Sequence, residues 1–307
     1  MENLKTMLFC TGYVNSPAAV ERYRKWINFY LEKREELGVD RIFIIDDGSN
    51  NFFIKELEKA THHKILYYRM RRLPEQEKQR TDEVREQLRN EGLADERYES
   101  EAMYSLPLEE SMDKNKIVWL SFPDNLGRPT TLCIPGWWRS FSFSSIIALA
   151  YHFDKVIHIE SDSYILTNKL FDFIKNKNEG YNVLWCPSMA PYGTPETCIQ
   201  WIMKEFLYKI QIAWHMGKNY WYGSCIPLTH YVPERFLAFT NIWQQFLGDR
   251  IGDDAFDTNK IQTIKDYDYI CNISDISLGG VNQRNITEKE EIIQLIFKSI
   301  MKGTSNE

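Results

Sequence analysis

Short unbroken apolar runs and amphipathic helical stretches take turns along most of this chain. Met7–Cys10 is a brief apolar strand, and Thr11–Ser16 follows it as a polar loop. Ser16 is a helix N-cap with Pro17 at the first helical position. Val20, Tyr23, Ile27, Tyr30 and Leu31 then recur at helical spacing until Gly38 stops the helix. Arg41–Ile45 is a continuous apolar run of the kind buried on both faces of a parallel sheet. Strand, helix and strand in this order make a βαβ unit. Further on, the pattern predicts strands at Ile117–Phe122, Lys155–Ile159, Tyr181–Pro187 and Tyr269–Ile273. It predicts helices over Trp138–Phe153, Lys169–Lys175, Glu196–His215 and Pro233–Leu247. The fold class is therefore α/β, with a mostly parallel sheet flanked by helices.

One segment breaks the alternation. Residues 71–116 are densely charged with sparse apolar positions, which predicts a solvated helical insertion between core elements. The chain as a whole carries a formal net charge of −6, and its basic residues form no aromatic-interleaved patch, so nucleic-acid binding driven by counterion release is excluded. The six cysteines are scattered without any C-x-x-C pairing and sit mostly in apolar stretches, as thiols of a reducing, cytoplasmic compartment do. No apolar run approaches the ~18 residues that cross a bilayer, which leaves peripheral contact with a membrane as the only membrane association expected. The sequons at Asn272 and Asn285, without a secretion signal, are read as chance.

The candidate chemistry lies at strand ends. Lys155–Ile159 runs directly into Glu160, Ser161 and Asp162, and an acidic pair at the mouth of a buried strand calls for a cation or hydroxyl groups to offset it. If the strand stays extended to Asp162, His158, Glu160 and Asp162 share one face; His158, deeper in the strand, reads as a core histidine before a ligand. Asp46, Asp47, Gly48 and Ser49 follow the second strand, where ligands bind in open α/β sheets, although Asp-Gly is also turn chemistry. Arg139 stands near a helix start, either as a surface arginine or facing a diphosphate. Gly136, Trp137 and Trp138 beside it read as core packing before a substrate-facing aromatic pair. Asp253 and Asp254 begin another stretch of helical character, where a carboxylate also serves as an N-cap. The aromatics between Trp185 and Tyr222 suit a core, with one or two near Tyr192 or Trp221 suited to stacking on a sugar face.

Taken in order, strand-Asp46-Asp47-Gly48-Ser49, Arg139, strand-Glu160-Ser161-Asp162 and the late Asp253-Asp254 pair resemble the nucleotide-sugar-dependent glycosyltransferases of the GT-A fold, family-2-like and of DxD type, over residues 7–275. The resemblance implies a Rossmann-like GT-A fold in which 1–70 and 117–166 bind the nucleotide sugar, 71–116 is an insertion, 167–275 is the acceptor-binding and catalytic half, and 276–307 is a tail with a short helix. It implies Mn²⁺ or Mg²⁺ held by Asp162 and Glu160, the latter replacing the usual first Asp. It also implies a UDP- or GDP-sugar donor bound by Thr11, Tyr13, Asp46, Asp47, Arg139, Glu160 and Ser161. Asp254, with Asp253 as alternate, becomes the general base of an inverting transfer to a glycan, lipid-linked or protein acceptor. The small-residue segment Tyr222–Leu228 passes the donor sugar. Competing expectations are a retaining transferase, a sugar-1-phosphate nucleotidyltransferase (which would have a Gly-rich basic loop where Thr11–Ser16 stands), and a non-catalytic carbohydrate- or partner-binding protein on the same scaffold.

Overall fold

Ser16 does what its position predicts. In the computed structural model its Oγ accepts the Ala19 N–H at 3.2 Å and starts helix α1, Pro17–Glu32. The structure describes residues 4–61, 63, 65–72, 104–109, 116–127, 134–211, 237, 239–251 and 266–272. Before α1 lies strand β1 (Thr6–Gly12), and after it come β2 (Arg41–Asp46), α2 (Asn51–Thr61) and β3 (Ile65–Arg69). Strand β4 (Ile117–Ser121), helix α3 (Pro135–Ala150) and strand β5 (Lys155–Ile159) complete the parallel half. Then follow β6 (Tyr164–Ile165), α4 (Asn168–Asn176), β7 (Tyr181–Leu184), β8 (Glu196–Met203), β9 (Asn241–Trp243), β10 (Gly248–Arg250) and β11 (Tyr269–Cys271).

Eight strands form one sheet in the order β3-β4-β2-β1-β5-β8-β7-β9. From β3 to β5 every pairing is parallel, and β8 then runs antiparallel to both β5 and β7. This is the expected α/β architecture, a mostly parallel sheet flanked by helices, and it is consistent with a GT-A-like, Rossmann-like fold. Strand alternation divides the core in two. Leu8, Cys10, Ile42, Ile44, Ile157 and Ile159 face α1, α2 and α4 through Trp26, Tyr30, Leu57 and Leu170. Met7, Phe9, Phe43, Ile45 and Val156 face α3 through Phe141 and Ile147. A smaller sheet, β10-β11-β6, adjoins the first core through Tyr269 and Ile270.

Two predicted helices are corrected. Glu196–Met203, expected as the first half of a helix, is a strand with every residue buried; only Lys204–Gln211 turns helical. Its Thr, Ile and Trp content suits a pleated surface between β5 and β7, and both neighbours bury its backbone. Asn241–Trp243, expected inside the helix Pro233–Leu247, is likewise a strand, paired with β7. Strand β3 is an addition to the sequence prediction. Most of the charged segment lies outside the described residues, but its ends meet: Arg72 bridges Tyr104, and Ser105 donates its N–H to Arg71 O at 2.9 Å.

Candidate functional site at the carboxyl edge of the parallel strands

The order of strands reverses beside β1. The first crossover carries α1 on one face to β2, and the crossover from β4 carries α3 on the other face to β5, on the opposite side of β1. Such a switch point opens a crevice at the carboxyl ends of the strands. Thr11 and Tyr13 leave β1 here, Asp46 and Asp47 leave β2, and Glu160, Ser161 and Asp162 leave β5. The fold therefore brings seven sequence-nominated residues to one edge. Arg139 of α3 reaches the same edge through Asp47.

The β2 acids are built into the protein. Asp46 is fully buried and accepts from Ser121 Oγ at 2.6 Å, from the Ser49 N–H at 2.8 Å and from Ser49 Oγ. Burial pushes its carboxyl up to about 6, against the hydrogen bonds from Ser121 and Ser49. Asp47 accepts the Gly127 N–H at 2.9 Å and Asn125 Nδ2 at 2.9 Å, and it pairs with Arg139. Arg139 is 6% exposed, so it is not a surface arginine; its second contact is Asp124, with Nη1 2.9 Å from the carboxylate, and it lies over the Phe122 ring. Gly136, in the first turn of α3, permits this closure, since a Cβ there would stand 1.9 Å from Asp47 Oδ2. Three segments, β2, the loop after β4 and α3, are thus locked around one carboxylate.

The β5 acids are set differently. The strand ends at Ile159, and the Ser163 N–H bonds back to Glu160 O at 3.0 Å, so a turn replaces the extended run to Asp162. His158 and Glu160 keep a common face, both against Trp137 of α3, and the turn takes Asp162 off it toward α1. Glu160 accepts Trp137 Nε1 at 3.1 Å on the α3 side. Asp162 interacts with Arg22 of α1: although burial pulls the other way, Tyr23 and Asp162 hold the Arg22 guanidinium above its ordinary range. Both acids are half-buried. Burial first, then the Glu160 charge, pushes the Cys10 thiol of β1 well up, with Arg22 opposing and Asp162 adding to it. His158 is a core residue, fully buried, with Nδ1 3.2 Å from Gln200 Nε2 and ring centroids of Phe9 and Phe141 at 4.7 and 5.0 Å. Burial lowers it to about 3.

Tyr23 ties the two loops together. Its hydroxyl donates to Thr11 O at 2.8 Å and accepts the Tyr13 N–H at 3.2 Å, and it also bonds the Ser161 side chain. The Val14 N–H donates to Ser49 Oγ at 2.6 Å, joining the β1 loop to the β2 turn. Beside them an open groove of about 540 Å³ is lined by Tyr13, Asn15, Ser49, Asn51, Phe53 and Arg69, with Tyr13 39% exposed. Sequence reasoning missed Arg22, Asn15, Asn51 and Phe53, and it weighed Trp137 as a substrate-facing ring without its bond to Glu160. Arg22 was the most legible, since it sits one residue before a core-facing Tyr23 on the helix that follows β1. Asp253, Asp254 and Tyr222–Leu228 lie outside the described residues.

For a divalent metal the donor set is suitable in kind. Glu160 and Asp162 offer hard oxygens at a partly open edge, and Mg²⁺ or Mn²⁺ takes one or two such carboxylates with the rest from phosphate and water. Among the described residues no helix is long and apolar enough to cross a membrane.

No family model and no curated protein matches this chain. Among solved structures, a glycosyltransferase involved in the glycosylation of the major capsid of PBCV-1 is similar at 10% identity and a TM-score of 0.37, over 94% of this chain and 99% of that one.

Proposed function

We propose that this chain is a nucleotide-sugar-dependent glycosyltransferase that holds its donor in the crevice between β1 and β5. One observation carries the proposal: two acidic strand ends, far apart in sequence, flank a topological switch point with helices on opposite faces. The groove beside Tyr13 is within the size range of small-molecule sites, and its ring and amide side chains suit a nucleoside base. Ser49, on the groove wall, is fixed by Asp46.

Glu160 and Asp162 would hold Mn²⁺ or Mg²⁺, which when bound neutralises charge on the donor diphosphate. Arg139 acts in this proposal as a positioning residue, since its guanidinium already joins Asp47 to Asp124. Arg22 of α1 sets a positive charge against Asp162 beside the crevice. In the transfer, the acceptor oxygen forms its bond to the sugar carbon as the bond to the diphosphate oxygen breaks, and the acceptor proton passes to Asp254.

Release of nucleoside diphosphate from a panel of UDP- and GDP-sugars, with and without Mn²⁺, tests this. Expected is turnover of one donor that depends on the cation, is abolished by Asp162→Ala, and falls at least ~100-fold in Asp254→Asn with donor binding retained. No release from any donor, by protein that is folded and metal-loaded, overturns the proposal.

A further inference from the structure

Behind the acidic turn lies a second cluster that the proposed transfer does not use. Glu196 and Cys198 stand two residues apart on β8, where its register with β7 shifts, and Cys271 ends β11 of the smaller sheet. Their ligand atoms, one carboxylate oxygen and two sulfurs, all lie within 4.8 Å of one another. All three residues are buried, at 1%, 2% and 0% exposure. We propose that they form a zinc site that staples the smaller sheet to the central one.

The charge count suits a divalent ion. Glu196 is paired with Arg250, Nη1 to Oε2 at 3.0 Å, so the cluster with both thiols protonated is neutral. When a divalent cation enters, two S–H bonds break, two protons leave to solvent, and two metal–sulfur bonds and one metal–oxygen bond form. No electron changes hands, and the net charge of the buried cluster stays at zero. A buried ion is tolerated only when compensated in this way. Geometry suits it as well: zinc bonds of ~2.3 Å to sulfur and ~2.0 Å to oxygen place tetrahedral ligands roughly 3.5–3.8 Å apart, inside the spread observed. Glu196 is held in place by the Cys198 N–H at 3.0 Å and by Cys186 Sγ at 3.8 Å from its Oε2. Through that contact Cys186 stands beside the cluster, outside the group of three ligand atoms.

Thiolate ligands distinguish this site from the β5 acids. Soft sulfur selects zinc, whereas Mn²⁺ and Mg²⁺ prefer the oxygens of Glu160 and Asp162. The staple would act on the turn between them. The Glu160 N–H donates to Cys198 O at 2.9 Å, and β6, which follows Ser163, pairs with β11 through Tyr164↔Ile270 and Ile165↔Tyr269. One end of the acidic turn is thus anchored on β8 and the other on β11, the two strands that the ion would join.

Elemental analysis of the full chain, loaded with Zn²⁺ and dialysed against metal-free buffer, is the test. The expected result is about one zinc per chain, lost in the Cys198→Ser/Cys271→Ser double variant and retained in Asp162→Ala. Substitution by Co²⁺ in the wild-type chain should give thiolate-to-cobalt charge-transfer absorption, a readout that does not require the variant to fold. Zinc absent after loading, zinc retained by the folded double variant, or a cobalt spectrum without thiolate bands overturns the proposal. So does an intact mass two hydrogens short, with Cys198 and Cys271 joined as a disulfide and no metal bound.

Discussion

Two acidic elements end neighbouring parts of the same sheet, and the fold treats them in opposite ways. Asp46 and Asp47 are enclosed, each taking three or more bonds from the protein itself, with Ser49, Ser121, Gly127 and Arg139 as partners. Glu160 and Asp162 sit half-exposed on a turn, one against Trp137 and the other against Arg22. An acidic pair at a strand end therefore identifies a location, while its hydrogen-bond environment decides its work. The β2 pair shapes the edge, and in our proposal the β5 pair meets the ligand there.

The largest effects should come from opening the β2 lock. Gly136→Ala puts a methyl into the Asp47 carboxylate, and Arg139→Met leaves Asp47 buried without its charge partner. Losing one member of a buried pair costs about 3–5 kcal/mol, and urea unfolding at neutral pH should show a loss of that size for Arg139→Met. Next comes the pH response of Asp46. Its folded value of about 6 exceeds the ordinary 3.8, so between these limits the folded chain keeps a proton that the unfolded chain has released. Stability from this group is thus full at low pH and declines as pH rises through that window, by roughly 3 kcal/mol in total. Asp46→Asn should flatten this portion of a stability-versus-pH curve measured between pH 4 and 7; an unchanged slope would assign it to other groups.

Smaller effects sharpen the contrast. Ser121→Ala removes a hydrogen bond to an ionised carboxylate above the Asp46 transition and to a neutral one below it. Its cost should be about 1.5–3 kcal/mol at pH 8 and about 1 kcal/mol at pH 4.5. At the bottom of the scale, Asp162→Ala should alter stability by no more than ~1 kcal/mol, because Asp162 and its partner Arg22 are both only half-buried. A melting temperature lowered as far as that of Arg139→Met would place Asp162 among the structural acids and erase the distinction.

Much of the parallel half was legible because its signals are local. The Ser16–Pro17 cap, the runs Arg41–Ile45 and Ile117–Phe122, and the strand entering Glu160 each declare themselves within a few residues. The edge carrying Thr11, Tyr13, Asp46, Asp47, Glu160, Ser161 and Asp162 followed from the βαβ order. Strand β8 was not legible, since a short apolar run fits a helix or a strand and only its antiparallel neighbours decide. Partnerships across the chain were also hidden. Nothing near Arg139 in sequence announces Asp47 and Asp124, and Trp137 gives no sign that its indole N–H reaches Glu160. The Glu196–Cys198–Cys271 cluster joins two sheets, so it depends on tertiary packing that spacing does not encode.

The central claim is that the β5 acids, and not the β2 acids, meet the ligand at this edge. Titration calorimetry with UDP- and GDP-sugars, with and without Mn²⁺, on the wild-type chain and on Asp162→Ala tests it most directly. The account predicts Mn²⁺-dependent binding of one donor, lost in the variant while its melting temperature stays within a few degrees of the wild type. Donor binding by Asp162→Ala at wild-type affinity, or no donor binding by the folded wild-type chain with Mn²⁺ present, would contradict it.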